Sequence, residues 1–193
     1  KVFDKIIILK EKGSLFSLCE NTHDKYCIFP RVNLLDYIPY RESIVIDTDV
    51  LCTYETDSVW ETFRDKGQPF NCVGNYYDES FHWNKISDIN KKLGFNVNCA
   101  HGGIFYLNKN FGERDLETFF LHLLYSFINY DKLGFIRGFD SREAKKGSMT
   151  DEIMIGYAMS KMGYTLLDFS IYPRMTFEIE GYLIDEMTLP NKV

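Results

Sequence analysis

Ser43-Ile44-Val45-Ile46-Asp47-Thr48-Asp49-Val50-Leu51-Cys52 is the stretch that decides how the chain is read. Its apolar run is too short for a helix, is rich in β-branched residues and stops at two carboxylates one residue apart. That is the pattern of a buried strand delivering Asp47 and Asp49 to a site at its end. In an open α/β sheet, ligands settle in the crevice outside the carboxyl ends of the strands. Two adjacent acids repel each other, so a cation is expected between them, and hard oxygen ligands suit Mg²⁺ or Mn²⁺. The plainer alternative is that the Asp pair caps a turn after an ordinary core strand.

Upstream, Arg31 to Ile38 reads as a helix with Val32, Leu34, Leu35 and Ile38 inward, ended by Pro39 and leading straight into the acid-bearing strand. Before it, Val2 to Leu9 reads as a buried strand, and Tyr26 to Phe29 as a short strand closed by Pro30. Downstream, Asp57 to Asp65 has the three-to-four spacing of a helix, Phe70 to Tyr77 is a strand, and Lys85 to Leu93 is a helix with Gly94 as its C-cap. Between the last two, Tyr76 to Trp83 is rich in aromatic residues, which either stack on a sugar ring or pack over the sheet edge.

Asn96 to Asn110 reads as a polar turn whose Gly102-Gly103 pair feeds an apolar strand, Ile104 to Leu107. There a backbone could approach a ligand closely, and His101 could donate a hydrogen bond or ligate a metal; a plain turn is the alternative. Glu113 to Asn129 is the clearest amphipathic helix, its Phe and Leu stripe belonging to the core. Phe135 to Lys146 reads as an ordered loop carrying Arg137, Asp140 and Arg142. Ser148 to Lys161 follows as a helix with Ser or Thr as cap and Asp151 and Glu152 in its first turn, where an acid is commonly a capping device. Leu166 to Met187 supplies one or two strands. The alternation of strands and helices implies a mostly parallel sheet.

At 193 residues and 45% hydrophobic content, the chain suits one α/β domain with a full core. Acids outnumber bases 28 to 22, for a net charge of −6, which argues against nucleic acid as a partner. A small diphosphate remains compatible if a divalent cation bridges it to the protein. The five cysteines, at 19, 27, 52, 72 and 99, form no Cys-x-x-Cys pair, and several lie in apolar stretches. A reducing, cytoplasmic setting is expected from that usage. No apolar run approaches the roughly 18 residues of a membrane span, and no signal peptide precedes the first strand. The chain starts at Lys1 without Met, which leaves open the removal of an N-terminal piece.

Taken in order, these pieces resemble the GT-A glycosyltransferases, in particular the family 8-like enzymes that include lipopolysaccharide galactosyltransferases and glycogenins. Arg31-Val-Asn-Leu-Leu, Pro39-Tyr40 and Ile44-Val-Ile-Asp-Thr-Asp-Val-Leu look like their arginine-led helix, Pro-Tyr turn and Asp-x-Asp strand. His101-Gly-Gly-Ile-Phe-Tyr-Leu-Asn108 looks like their Asn-Ser-Gly-Val strand, and Thr150-Asp-Glu-Ile-Met like the Asp-Gln helix start that follows. The similarity covers about residues 26 to 168.

The resemblance implies one GT-A, Rossmann-like domain over residues 1 to 193, with a mixed, mostly parallel sheet flanked by helices. It implies a nucleotide-sugar donor, a UDP-sugar first, and a glycan, lipid-linked or protein hydroxyl as acceptor. Mn²⁺ or Mg²⁺ would be held by Asp49 with Asp47 nearby. Donor contacts would come from Arg31, Asp47, Asp49, His101, Gly102 and Gly103. Asp151 would touch the transferred sugar, and Glu152 would lie beside the anomeric carbon or the acceptor. The family's C-terminal metal histidine has no counterpart after residue 168, and His101 stands where the family usually has Asn.

Two alternatives stay open. A haloacid-dehalogenase-like phosphatase also begins with a strand ending in Asp-x-Asp, with Asp47 as nucleophile and Asp49 as acid and base. A degenerate GT-A module could bind a sugar nucleotide or a partner without turnover.

Overall fold

The structure is a computed structural model, described here for residues 19, 24–47, 50–52, 56–75, 80–81, 83–138, 147–168 and 176–178. Its strands are β1 (Glu42–Ile46), β2 (Val50–Cys52), β3 (Phe70–Asn75), β4 (Ser80–Phe81), β5 (Asn84–Lys85), β6 (Cys99–Asn108), β7 (Leu167–Asp168) and β8 (Thr176–Glu178). The α-helices are α1 (Phe29–Val32), α2 (Thr56–Arg64), α3 (Ile86–Leu93), α4 (Glu113–Ile128), α5 (Tyr130–Leu133) and α6 (Asp151–Met162).

The central sheet has the order β1-β6-β3-β7. β6 runs antiparallel to both β1 and β3, and only the short β3–β7 pairing is parallel. The expected mostly parallel sheet is therefore corrected to a mostly antiparallel one. The reason lies in the insertion of β6. β1, β3 and β7 share one direction, as strand-helix alternation demands, but β6 enters between β1 and β3 from the opposite direction and takes away their chance to be neighbours. Two-stranded pairs β2–β8 and β4–β5 lie outside this sheet.

β6 is buried along almost its whole length, because helices cover both faces of the sheet. Phe105 and Leu107 point to one side and pack with Phe70 and Cys72 against Leu116, Phe119 and Leu123 of α4 and Ile153, Met154 and Ile155 of α6. Ile104 and Tyr106 point to the other side and meet Val59 and Phe63 of α2. Tyr106 stacks on Phe63 at 5.5 Å, and Phe70 stacks on Phe119 at 4.0 Å. Each such ring, once fully buried, contributes roughly 1.5–3 kcal/mol. The amphipathic reading of residues 113 to 129 holds, with Leu116, Phe119, Phe120, Leu123 and Phe127 buried.

The acid-bearing strand is present where expected, but half-buried and, among the described residues, at the edge of the sheet; Ile46, next to Asp47, is exposed. The expected strand at Tyr26 to Phe29 is instead a π-helical turn, Asp24–Ile28, running into α1. Pro30 starts that helix rather than closing a strand, since the first turn of a helix needs no N–H from it. The expected helix from Arg31 to Ile38 is broken: α1 ends at Val32, and a 3₁₀ turn follows over Leu34–Asp36. Asn33 marks the break, its side-chain amide donating to the Phe29 carbonyl at 2.9 Å, a local bond that competes with helix continuation.

The Lys85-to-Leu93 helix and its Gly94 cap are found as α3, with Gly94 left-handed at φ 77°. Val2 to Leu9, Tyr76 to Glu79, His82, Asp140 and Arg142 lie outside the described residues.

Candidate functional site

Four elements meet at Arg31. The last turn of α1 aims its guanidinium at the carboxyl end of β1, where it is hydrogen-bonded and ion-paired to Asp47. Its other terminal nitrogen is paired with Asp151, the first residue of α6, and lies 3.4 Å from the carbonyl oxygen of Gly102 in β6. Asp151 is the deepest of the three, with 9% of its side chain exposed against 23% for Arg31 and 30% for Asp47. A guanidinium presents a planar fork of donors, which suits it to bridge two carboxylates from different elements.

Gly102 makes this meeting possible. A Cβ built there would stand 2.9 Å from Arg31 Nη1, 3.0 Å from Asp151 Oδ2 and 3.1 Å from Glu152 Oε1. The missing side chain is therefore the space in which one cation and two acids converge, and Glu152 is brought to the same point. The His101-Gly102-Gly103 segment is not the turn expected from sequence. It lies inside β6, opposite a register shift: β3 advances from Cys72 to Gly74 while β6 runs from Phe105 to Ala100. A bulge of this kind bends a strand and re-aims its residues. In this irregular stretch Gly102 lies against Arg31.

His101 and Gly103 serve this local geometry. The Gly103 N–H donates to His101 Nδ1 at 3.1 Å, and the Gly103 carbonyl accepts the Asp47 N–H at 3.0 Å. The second of these bonds fixes where β1 ends and its acids begin.

Helix α6 reaches the site because Gly156 lets it lie directly on the chain entering β6. A side chain at 156 would overlap the Asn98 carbonyl. Ser160 locks the same approach, accepting the Asn98 N–H at 2.9 Å and donating to the Gly156 carbonyl at 2.9 Å. Thr150 occupies the N-cap position without a side-chain cap bond, so the expected Ser or Thr cap is corrected to a backbone position alone. Asp151 spends its carboxylate on Arg31 instead. Sequence reasoning missed two residues behind this turn, Asp24 and Tyr130, whose side-chain oxygens accept the N–H groups of Met149 and Thr150.

Asp49, the second acid of the pair, lies outside the described residues. Among the described residues, no group of three or more His, Cys, Asp or Glu side chains is arranged to hold a metal ion. Nor is any helix among them long and apolar enough to cross a membrane.

No protein-family description matches the sequence, and no curated protein matches it as a relative. By structure, the chain resembles mouse xyloside xylosyltransferase 1 in its apo form, a family 8 GT-A glycosyltransferase, with a TM-score of 0.51 over 78% of this chain. The fold is GT-A-like. The chain spans 54% of the length of that structure, and 14% of the residues are identical. At that identity the likeness carries the fold. The GT-A-like frame puts the edge strand β1, the bulge in β6 and the start of α6 around one point, and Arg31, Asp47, Gly102, Asp151 and Glu152 all meet there.

Proposed function

We propose that the protein is a glycosyltransferase that moves a sugar from a nucleoside-diphosphate sugar, a UDP-sugar first, to a hydroxyl of a glycan, lipid-linked or protein acceptor. The observation that carries this reading is the bridge of Arg31 between Asp47 and Asp151 over Gly102, in a GT-A-like fold. A donor entering beside Gly102 would meet one cation and three acids. Arg31 would exchange a carboxylate for a phosphate oxygen or a sugar hydroxyl. Asp151, released from the guanidinium, would accept hydrogen bonds from hydroxyls of the transferred sugar. Glu152 would steady oxocarbenium charge at the anomeric carbon or deprotonate the acceptor hydroxyl.

Mn²⁺ or Mg²⁺ belongs to the same proposal. The oxygen donors have the right chemistry: Arg31 contacts Asp47 through Oδ1 only, and Asp47 and Asp49 are the residues that would hold the ion. When bound, the ion would offset the charge of the departing diphosphate. A cytoplasmic location goes with this reading, supported by the free, buried thiols of Cys19 and Cys72.

One observation favours a second reading, a module that binds a sugar nucleotide without turnover: Arg31 already pairs with Asp47 and with Asp151. A thermal-shift screen of UDP-, GDP- and CDP-sugars with and without Mn²⁺, followed by measurement of nucleoside diphosphate release, separates the two. Stabilisation with release supports transfer; stabilisation without release supports the module; neither response overturns both. The phosphatase alternative loses ground at Asp47, because an oxygen held by a guanidinium is a weaker nucleophile.

A further inference from the structure

Behind the first turn of α6, a second set of side chains holds the two residues that lead into it. Met149 donates its N–H to Asp24 Oδ1 at 2.9 Å. Thr150 donates its N–H to the Tyr130 hydroxyl at 3.2 Å, and its own hydroxyl lies 3.3 Å from the same oxygen. The Tyr130 hydroxyl in turn donates to the Ile136 carbonyl at 3.3 Å. Asp24 is completely buried, and its other oxygen takes a hydrogen bond from Arg137 Nη1 at 3.1 Å. Arg137 lies over the Tyr130 ring at 5.5 Å and reaches out to Asp131, Nε to Oδ1, at 2.9 Å.

A buried carboxylate is costly to desolvate and is a weak source of stability even when paired. What it offers is a short, directional, charge-assisted grip on a backbone N–H. Both grips fall on the two consecutive N–H groups ahead of Asp151, those of Met149 and Thr150. Rotating either peptide would swing the first turn of α6, and with it both acids, relative to Arg31 on the opposite side.

We propose that Asp24 and Tyr130 are positioning residues that aim Asp151 and Glu152 at the substrate, an inference that rests on the glycosyltransferase reading. Arg137 holds Asp24 in register and touches no substrate. The role is one of geometry, and a displacement of about 1 Å at a reacting group costs about a hundredfold in rate.

The test is steady-state kinetics, with donor and acceptor varied, on the UDP-sugar that the wild-type protein turns over. Tyr130→Phe keeps the ring and deletes only the hydroxyl, so kcat is expected to fall by about tenfold or more while KM for the donor stays within about twofold. Asp24→Ala should lower kcat by at least as much. Asp24→Asn retains an acceptor for the Met149 N–H but turns its amide NH2 toward Arg137, so it should recover part of that loss in kcat. Asp131→Asn, at the exposed end of Arg137, should behave as wild type.

Wild-type kcat in Tyr130→Phe overturns the proposal, and so does an equal loss in kcat and melting temperature across all Asp24 variants. If Asp24→Ala fails to fold, Tyr130→Phe and Asp24→Asn still decide. A wild-type protein silent on every donor overturns the glycosyltransferase reading, and the positioning role with it.

Discussion

At Gly102 the site has no side chain, and the space of that missing group is where the guanidinium and the acids converge. Its backbone is not left-handed, so alanine can be accommodated by the chain itself, and the cost falls on Arg31, Asp151 and Glu152, which must move by a few tenths of an ångström. Gly102→Ala is therefore expected to fold with little change in melting temperature and to lose turnover by about tenfold or more, read as kcat/KM. Asp151→Asn makes the complementary case. Asn keeps an oxygen for Arg31, Arg31 keeps Asp47, and no side-chain cap bond is lost at Thr150, so stability should hardly change. Turnover should fall by about tenfold or more, and a variant with wild-type turnover would remove Asp151 from the proposed chemistry. Asp47 and Asp151 were legible in the sequence because each sits at the end of a strongly patterned element. Asp24 was not, because a lone acid in a segment without periodicity carries no sign that it is buried against Met149, 125 residues away and just ahead of a helix start.

Among the elements, α6 shows how packing overrides propensity. Alanine at 156 would gain about 1 kcal/mol of helix propensity over glycine. The new methyl group would overlap the Asn98 carbonyl, however, and backbone cannot step aside as the end of a side chain can. Overpacking costs about 1–3 kcal/mol, so Gly156→Ala should lower the melting temperature, and a rise would show that α6 does not lie on the chain entering β6.

The join between β1, β6 and α2 offers a pH test. Arg64 forks onto Glu42, Nε to Oε1 at 2.6 Å and Nη2 to Oε2 at 2.8 Å, and the Tyr106 hydroxyl donates to the same carboxylate. The Arg64 bond first, and then that from Tyr106, hold the Glu42 carboxyl below its usual 4.5. A carboxyl lowered on folding stabilises above its unfolded value and loses that contribution as pH falls through the folded one. The gap in melting temperature between wild type and Glu42→Gln should thus be widest near neutral pH and close below pH 4.5; a gap that widens in acid would refute it. Helices α2, α3, α4 and α6 and strands β1, β3 and β6 were legible from period and caps. Strand direction was not, since alternation in a sequence tells which face is buried and says nothing of which strand inserts between two others. The Gly102-Gly103 pair misled for a related reason: paired glycines mark a turn and a strand bulge alike.

For the whole molecule, the net charge of −6 sets the terms for any diphosphate. With acids converging on the proposed donor site and one guanidinium among them, donor affinity is expected to fall by about tenfold or more when EDTA removes Mn²⁺. Calorimetry with UDP as probe measures this directly, and equal affinity with and without the ion would leave Arg31 as sufficient counter-charge. The bridge between Arg31 and Asp151 joins residues 120 positions apart, and the Asp24 bond to Met149 spans 125. A chain made from its N-terminus at about 5–20 residues per second therefore carries Arg31 and Asp47 for several seconds before Asp151 exists to meet them. In that interval the guanidinium has Asp47 and the Gly102 carbonyl but lacks Asp151, and α4, the longest of the described helices, has no α6 to pack against. The site is thus a late event of biogenesis, closed only once residue 151 has left the ribosome, and nascent chains stalled before that point should expose the α4 stripe to chaperones.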